Sequence, residues 1–425
     1  MKTIDEMNKK YLCMGCGTCV AICPTNAIRM NIEDIYYPIV DKDKCTKCGK
    51  CVEVCPGISI FVKKMADEFW PNNKWHPKLG RFRATYIGYS NNPKIRFNSA
   101  SGGIATSIIC SLLKKGIIDG AILTKMSDSN PLQPESFIAR TEEEVISAQT
   151  SKYCPTSPVA VIKELKHTKE KFAFVGLPCQ VHGVRKLQNQ TEWVRKKIIL
   201  TIGLFCSHGI TFPGTCVLLN KFAKGIKNIR KIQYRGRGWP GGINVKYKNG
   251  EEFNIPLGEY WPPLFAPYFF TPYRCLTCHD LTSELADISL GDAWLREVRE
   301  TDNIGTSVII VRSSKGVEVL ASMKRDNEIS LRAISYKKVI ESQQGVLARK
   351  KVGVGARMKL LRFLSKPVPE YDQEFSSSLS GYIGASLILF NSIISKTKFG
   401  QKLLEIIPTK FLKKYCDYVF KYSTK

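Results

Sequence analysis

The amino-acid sequence predicts a mixed fold, α+β or mixed α/β, in three unequal parts: a small N-terminal module held together by metal, a larger mixed-sheet domain, and a helical basic tail. Three observations carry this expectation. A cysteine pattern repeats with a period of 32 near the N-terminus, strand and helix signals alternate from about residue 85 to 345, and residues 346–425 hold 15 Lys or Arg against 5 acidic residues. The 425 residues are 44% apolar and 24% charged, which excludes disorder or a fibrous repeat and calls for more than one core. The net charge of +27 repels itself unless something anionic faces it. Nucleic acid, an acidic redox partner, a phosphorylated ligand and a membrane surface are the classes that fit.

Residues 1–62 form the first part. Cys13, Cys16, Cys19, Cys23 and Pro24 are matched by Cys45, Cys48, Cys51, Cys55 and Pro56. Each run has the form C-x2-C-x2-C-x3-C-P, in which three thiolates reach one iron-sulfur cube and the fourth reaches across to the other. One cluster therefore takes Cys13, Cys16, Cys19 and Cys55, and the other takes Cys45, Cys48, Cys51 and Cys23. Gly15, Gly17, Thr18 and Gly49 are small enough for backbone amides to approach sulfide. Paired-cysteine zinc sites are the alternative, and the doubled eight-cysteine pattern argues against them. Between the runs, Ile28, Met30 and Ile32 alternate with polar residues and predict a strand, a turn and a second strand. The segment resembles a bacterial two-cluster 4Fe-4S ferredoxin over its whole length, a ferredoxin-like domain whose chemistry is single-electron transfer. Residues 63–84, with two tryptophans among prolines and asparagines, read as an irregular linker.

Residues 85–345 form the second part. YIGYS, GAILTKM, KFAFVGL, KIILTIGLFC, GINVKYK and TSVIIVRS predict strands. GIATSIICSLLKKG predicts a helix closed by Gly116, and ESFIARTEEEVISAQ and SPVAVIKELKH are two further helical candidates. Four cysteines recur here: Cys179 and Cys206 at strand ends, and Cys275 and Cys278 as a C-x2-C pair. A lone buried thiol is the alternative for Cys179, and half a zinc site or a dithiol is the alternative for the pair. Cys110, Cys216 and Cys416 have apolar or aromatic neighbours and are expected to be packed thiols. In FNSASGGIATS, Ser99, Ser101, Gly102 and Gly103 precede the helix, where free amides and the positive dipole end favour an anion such as a pyrophosphate, although a plain N-cap has the same signature. No G-x-G-x-x-G follows a strand, so no Rossmann nicotinamide site is expected. Arg235, Arg237 and Trp239 in YRGRGWPGG suit a phosphorylated or nucleotide-linked substrate, or equally a solvated turn. His182, His208 and His279 flank the cysteines as proton carriers or as hydrogen-bond donors.

Residues 346–425 form the third part. Phe375 to Ser395 is uncharged but too often interrupted by Ser, Asn and Gly for a spanning helix. KFLKKYCDYVFKY alternates basic and apolar residues as an amphipathic helix would. A helical extension with a solvated basic face is expected, with peripheral contact on anionic lipid as the alternative. The charged start MKTIDEMNKKYLC lacks an apolar leader, and the cysteine usage fits a reducing compartment, so a cytoplasmic protein is expected, with the tail allowing a place at the inner membrane surface.

GLPCQ, FCSHG, RCLTC and ELADISLGDAW, together with SASGG and SKY, resemble the family of beta subunits of coenzyme F420 hydrogenases and dehydrogenases over roughly residues 85–315, in the expected order. The resemblance implies a flavoprotein carrying FAD beside a 4Fe-4S cluster of its own, with a small-molecule or deazaflavin substrate on the open flavin face. It implies Cys179, Cys206, Cys275 and Cys278 as the third set of ligands, with Cys154 of SKYCPT as a substitute candidate. It also implies Ser99, Ser101, Gly102, Gly103, Lys152, Gly291 and Asp292 at the flavin. Clusters move one electron and most organic substrates take two, which is the physical need for a flavin between them. The expected function is a single-chain iron-sulfur flavoprotein oxidoreductase that passes electrons between ferredoxin-type clusters, FAD and a two-electron substrate such as coenzyme F420, with a ferredoxin as redox partner. The alternative is an electron-relay beta subunit of a hydrogenase or dehydrogenase complex. Basic residues are spread rather than gathered in a recognisable motif, so no nucleic-acid partner is expected.

Overall fold

The computed structural model describes residues 3–5 and 9–424. As the alternation near Ile28 predicts, Ile28–Ile32 pairs antiparallel with Tyr36–Val40, with Ile28 opposite Val40. The short helices Thr18–Ile22 and Lys50–Glu53 each start on a left-handed glycine, Gly17 at φ 88° and Gly49 at φ 79°. The apolar core inside this module is small: Ile4, Cys19 and Ile28, flanked by Cys23, Cys51 and Cys55. That scarcity is what a fold cross-linked by metal tolerates.

The larger part is built on one eight-stranded mixed sheet. Its strands run in the order 329–333, 84–90, 307–311, 288–292, 198–204, 172–176, 120–126 and 134–139. The four strands Gly120–Met126, Phe172–Gly176, Ile198–Leu204 and Ile288–Asp292 are parallel, and the outer strands are antiparallel. The parallel strands are apolar on both faces, because helices cover both. Ile104, Ile108, Leu112 and Leu320 pack with Ala173 and Leu200 on one side, while Val181, Val184 and Leu187 pack with Phe172 and Phe174 on the other. A separate three-stranded sheet joins Ile229–Gln233, Gly242–Tyr247 and Glu252–Pro256.

Two local expectations are corrected. Of residues 135–149, read as helical, the first five belong to the strand Pro134–Ala139 paired with Gly120–Met126, and only Glu142–Ser147 is helical, opened by a capping box of Thr141 and Glu144. A partner strand decides such a short segment, whose own propensities are ambiguous. The stretch read as an irregular linker holds the helix Val62–Phe69 and the paired strands Lys74–His76 and Gly80–Phe82. Val62, Met65 and Ala66 are buried along that helix, a periodicity masked by the Pro and Asn residues that only break the turn after it. Pro158–Leu165 is helical as expected, in the tighter 3-10 form.

The N-terminal module is sewn to the sheet domain. Gly17 approaches so closely that a side chain there would stand 2.6 Å from the Ala160 amide, and one at Gly183 would stand 2.1 Å from the Thr18 hydroxyl. Cys16, Ala21 and Val54 share one core with Val159, Val181 and Val184. The tail is helical as expected, with helices Gly353–Phe363, Leu379–Ile394, Lys398–Ile406 and Thr409–Ser423. Among the described residues no helix is long and apolar enough to cross a membrane.

Candidate functional site

Within the N-terminal module the cysteines fall into two quartets. Burial pushes the Cys13 thiol up to about 12, and the charges of Cys55 and Cys16 push the same way. Cys16 is pushed to about 11, by burial and then by Cys55. Burial also raises Cys19, with Cys16, Cys13 and Cys55 adding to it. The first quartet is therefore close enough for each thiolate to feel the others. Free, these thiols would be protonated at neutral pH; bound to iron, their charges would be neutralised where they stand. The Gly15 amide donates to Cys13 Sγ at 3.4 Å, and Thr18 Oγ1 lies 3.1 Å from Cys16 Sγ. Cys23, Cys45, Cys48 and Cys51 line one cavity with Pro24, Thr25 and Gly49, and the Ala27 amide donates to Cys23 Sγ at 3.3 Å. Among the described residues no three His, Cys, Asp or Glu side chains close on one point as a single-ion site requires. In a four-iron cube each thiolate meets its own iron, so the ligands stand further apart.

The sheet domain brings its own four cysteines together. Cys179 opens the helix Pro178–Gln190 after the strand Phe172–Gly176, and Cys206 follows the adjacent parallel strand Ile198–Leu204. Both sit at the carboxyl ends of parallel strands, where open α/β sheets gather functional groups. Cys275 lies in the helix Tyr273–Leu276 and Cys278 just beyond it. Burial raises Cys179 well above its ordinary value, and Cys206, Cys275, Cys16 and Cys278 add to the rise. Cys206 is pushed up to about 12 by burial, with Lys350 opposing. Cys16 belongs to the first N-terminal quartet, so the two quartets are electrostatic neighbours.

Three buried or half-buried cations around these thiols escaped the sequence reading. Lys350 is 2% exposed and donates to Cys278 Sγ at 3.3 Å and to the Asp280 carbonyl at 2.8 Å. Burial disfavours its charge, but the thiolates of Cys278, Cys206 and Cys275 outweigh burial and hold its pKa above the usual lysine value. Arg274 reaches the carbonyls of Gly57 and Pro56 at 3.3 and 3.2 Å, and Cys278, Cys179 and Cys275 lie in its field. Lys186 donates to the Cys55 and Ser59 carbonyls at 3.3 and 2.9 Å. Arg274 stands beside Cys275 in the sequence, a usable signal. Lys350 sits in an ARKK run that reads as solvated surface.

Cys154 lies apart, buried in an apolar core with Ile210, Leu218 and Tyr234, its thiol pushed up to about 12 by burial. His182 Nε2 is 2.8 Å from Asp280 Oδ2. His208 is held neutral by burial, near pKa 3, and hydrogen-bonds the Gly209 carbonyl and Thr271. His279 packs edge-on against Tyr371, and its Nε2 has no partner among the described residues.

The three segments expected at a flavin meet at Arg235, although Asp292 is the one expected residue that bonds it. Its guanidinium donates to the Ala100 carbonyl at 2.6 Å, to Tyr153 Oη at 3.2 Å and to Asp292 Oδ2 at 3.2 Å. One arginine thus ties the SASGG loop, the SKY segment and the end of the strand Ile288–Asp292. Gly103 is left-handed at φ 77° and opens the helix Ile104–Lys114. The Gly102 amide donates to Ser307 Oγ, Ser101 Oγ donates to the Thr306 carbonyl and Ser99 Oγ to the Ile95 carbonyl, so much of the loop's polarity is spent on shaping it. Lys152 turns its ammonium onto the carbonyls of Ala148, Gln149 and Thr150, and burial lowers its pKa to about 7. The Phe205 ring lies over Gly291, 2.2 Å from where a side chain would begin. Arg237, unlike Arg235, is at the surface and pairs with Glu252 at 2.5 Å. Trp239 is buried, with its ring 4.6 Å from that of Trp294. Arg235 Nε and Trp239 Nε1 are buried donors with no partner among the described residues. Two unspent donors beside a helix N-terminus fit a phosphate- or carbonyl-bearing cofactor.

Residues 85–163 match the family described as coenzyme F420 hydrogenase/dehydrogenase, beta subunit N-term, and residues 169–337 match its C terminus. The chain belongs to this family of coenzyme F420 hydrogenase/dehydrogenase beta subunits. Residues 12–57 match the 4Fe-4S dicluster domain and contain both N-terminal cysteine runs. The coenzyme F420 hydrogenase subunit beta of Methanosarcina barkeri is 26% identical over 67% of this chain and 97% of its own length. An F(420)H(2) dehydrogenase component of Methanosarcina mazei is 26% identical over 77% of this chain and 86% of its own. A coenzyme F420-dependent sulfite reductase of Methanocaldococcus jannaschii is 27% identical over 78% of this chain, which spans only about half (49%) of that protein. A chain of the F420-reducing NiFe hydrogenase complex from Methanosarcina barkeri shares the fold, with a TM-score of 0.55 at 22% identity over 70% of this chain and 99% of its own. The two matched beta-subunit regions contain Cys179, Cys206, Cys275, Cys278 and the Arg235 cluster; Lys350 and the tail helices lie beyond them.

Proposed function

We propose that this chain is an electron-relay beta subunit of an oxidoreductase complex, carrying three 4Fe-4S clusters and FAD. The observation that carries this reading is the neighbourhood of Cys16 and Cys179, which links the N-terminal quartets to the quartet of the sheet domain. Bound there, clusters would supply one-electron steps and a flavin at Arg235 would supply the two-electron step to a small organic or deazaflavin substrate. Among the N-terminal cysteines only Cys48 is exposed, and Lys44, Lys47 and Lys50 around it are exposed as well, which suits an acidic redox partner such as a ferredoxin or another protein of the complex. Lys350, Arg274 and Lys186 offset the thiolate charge that burial would otherwise forbid. The division into 1–62, 63–84, 85–345 and 346–425 belongs to this reading, as does a place in the reducing interior of the cell.

The second reading, a self-standing oxidoreductase, is favoured by one feature: the dicluster region is part of the same chain. Anaerobic purification with iron, sulfide and flavin counts tests the cofactors, with about twelve irons and one FAD per chain expected from three four-iron groups. Stoichiometric co-purification with a hydrogenase or dehydrogenase subunit decides for the relay. Reduction of a substrate by the isolated chain decides for the enzyme.

A further inference from the structure

The helices of the tail turn apolar stripes outward. In Leu379–Ile394, Gly381, Gly384, Asn391 and Ser392 are buried along with Ala385, Ile388 and Leu389. Asn391 donates to the Pro267 carbonyl at 2.8 Å and Ser392 to the Thr271 carbonyl at 3.0 Å, so the inner face is anchored by polar groups. Outside stand Leu379 at 90% exposure, Ile383 at 48%, Phe390 at 60% and Ile393 at 64%, spaced by 4, 7 and 3 residues along one side of the helix. The next helix, Lys398–Ile406, repeats the arrangement: Phe399, Leu403 and Ile406 are exposed at successive turns while Leu404 is buried. Phe411 and Tyr418 continue it, one heptad apart, on Thr409–Ser423.

Lysines lie on the second and third of these helices, and the first has none. Between residues 379 and 424 the chain carries lysines in large excess over acidic residues, and Lys398, Lys402, Lys410, Lys414 and Lys421 are among them. Exposed apolar stripes on three consecutive helices are rare on a monomer in water. A protein partner is the weaker match, because interface cores are depleted in lysine. Spanning is excluded for these helices: Leu379–Ile394 has 16 residues, about 24 Å of helix against a hydrocarbon core of about 30 Å.

We propose that the helices Leu379–Ile394, Lys398–Ile406 and Thr409–Ser423 form a monotopic seat on an anionic lipid surface. Leu379, Phe390, Phe399 and Phe411 enter the boundary between headgroups and acyl chains, and the lysines beside them meet lipid phosphates. This seat does not depend on the redox reading.

The test is co-sedimentation of the anaerobically prepared full chain with phosphatidylcholine vesicles, with and without about 30 mol% phosphatidylglycerol, run beside light scattering on the chain alone. Wild type is expected to pellet with the anionic vesicles, to release as salt rises, and to bind neutral vesicles at least tenfold more weakly. Lys398→Glu, Lys402→Glu and Lys410→Glu together remove more than one hundredfold of the partitioning, at about fivefold or more for each lysine. Phe390→Ser and Phe399→Ser each remove on the order of tenfold. All these positions are exposed, and an unchanged circular dichroism spectrum and thermal unfolding midpoint check that the variants fold. Equal binding to both vesicle types, or none to either, overturns the proposal. A dimer of wild type that Phe390→Ser dissolves, without vesicle binding, assigns the face to a second copy and overturns it as well.

Discussion

Removing the charge of Lys350 should shift the potential of the cluster proposed for Cys179, Cys206, Cys275 and Cys278. The Lys350 ammonium lies 3.3 Å from Cys278 Sγ, is 2% exposed, and is shielded by little solvent. An electron added to a four-iron group held by these thiols would spread over the whole cube, on the order of 6 Å from the ammonium. With an effective dielectric of about 20, the attraction is about 3 kcal/mol, which for one electron is ~120 mV. Lys350→Gln keeps a donor for the Asp280 carbonyl and removes the charge. The expected outcome is a potential more negative by about 50 to 120 mV, read by a redox titration followed by electron paramagnetic resonance, with iron content unchanged. Lys315→Gln, at an exposed lysine that donates to the Ile199 carbonyl, serves as the control and should leave all potentials in place. A Lys350→Gln chain with full iron content and no signal moved by more than about 20 mV would show that no redox group sits beside this ammonium, and the third quartet would lose its assignment.

Cys179→Ser should lower iron from about twelve to about eight atoms per chain, whereas Cys154→Ser, in its apolar core beside Tyr234, should leave the count intact; colorimetric iron analysis separates them. Arg235→Lys preserves a charge opposite Asp292 but loses the fork that also reaches Tyr153 and the Ala100 carbonyl, and flavin should dissociate at least tenfold more readily; retention of bound flavin through dilution at the wild-type level refutes the assignment. Lys152 has a folded pKa of about 7, below its value of about 10.4 in the unfolded chain. Between those values the unfolded chain binds the extra proton, so this group makes stability rise with pH, by up to about 1.4 kcal/mol per pH unit. Lys152→Met should remove that rise and stabilise the fold most at and below pH 7. Denaturant midpoints of the two proteins that run parallel from pH 7 to 10 would count against it.

Legibility followed the physical range of each signal. The eight N-terminal cysteines could be read because the thiolates that hold one cube are spaced by local geometry, C-x2-C-x2-C, with only the fourth ligand reaching across the repeat. The strands Gly120–Met126, Phe172–Gly176 and Ile198–Leu204 were readable as continuous apolar runs, the mark of parallel strands covered on both faces. The strand order was not, since nothing in the run 307–311 says that it will lie between 84–90 and 288–292. The same limit explains the misread 135–139, where the partner strand supplied the decision. It also explains Lys350, 72 residues from Cys278 in sequence and in contact with it in space. A lysine in a basic run is ordinarily solvated, and only the convergence of three thiolates makes burying one favourable. The charge count of +27 therefore mixes two populations: lysines turned inward, such as Lys350 on the Cys278 sulfur and Lys186 on the Cys55 carbonyl, and those of the last helices, turned outward. With clusters bound as proposed, the inward group would make an added electron less costly, whereas the outward group can serve only what lies beyond the surface. Since the matched beta-subunit regions end at residue 337, before both Lys350 and the tail helices, the segment 346–425 joins two roles: Arg349, Lys350 and Arg357 are buried against the sheet domain, while the lysines of the last two helices face outward.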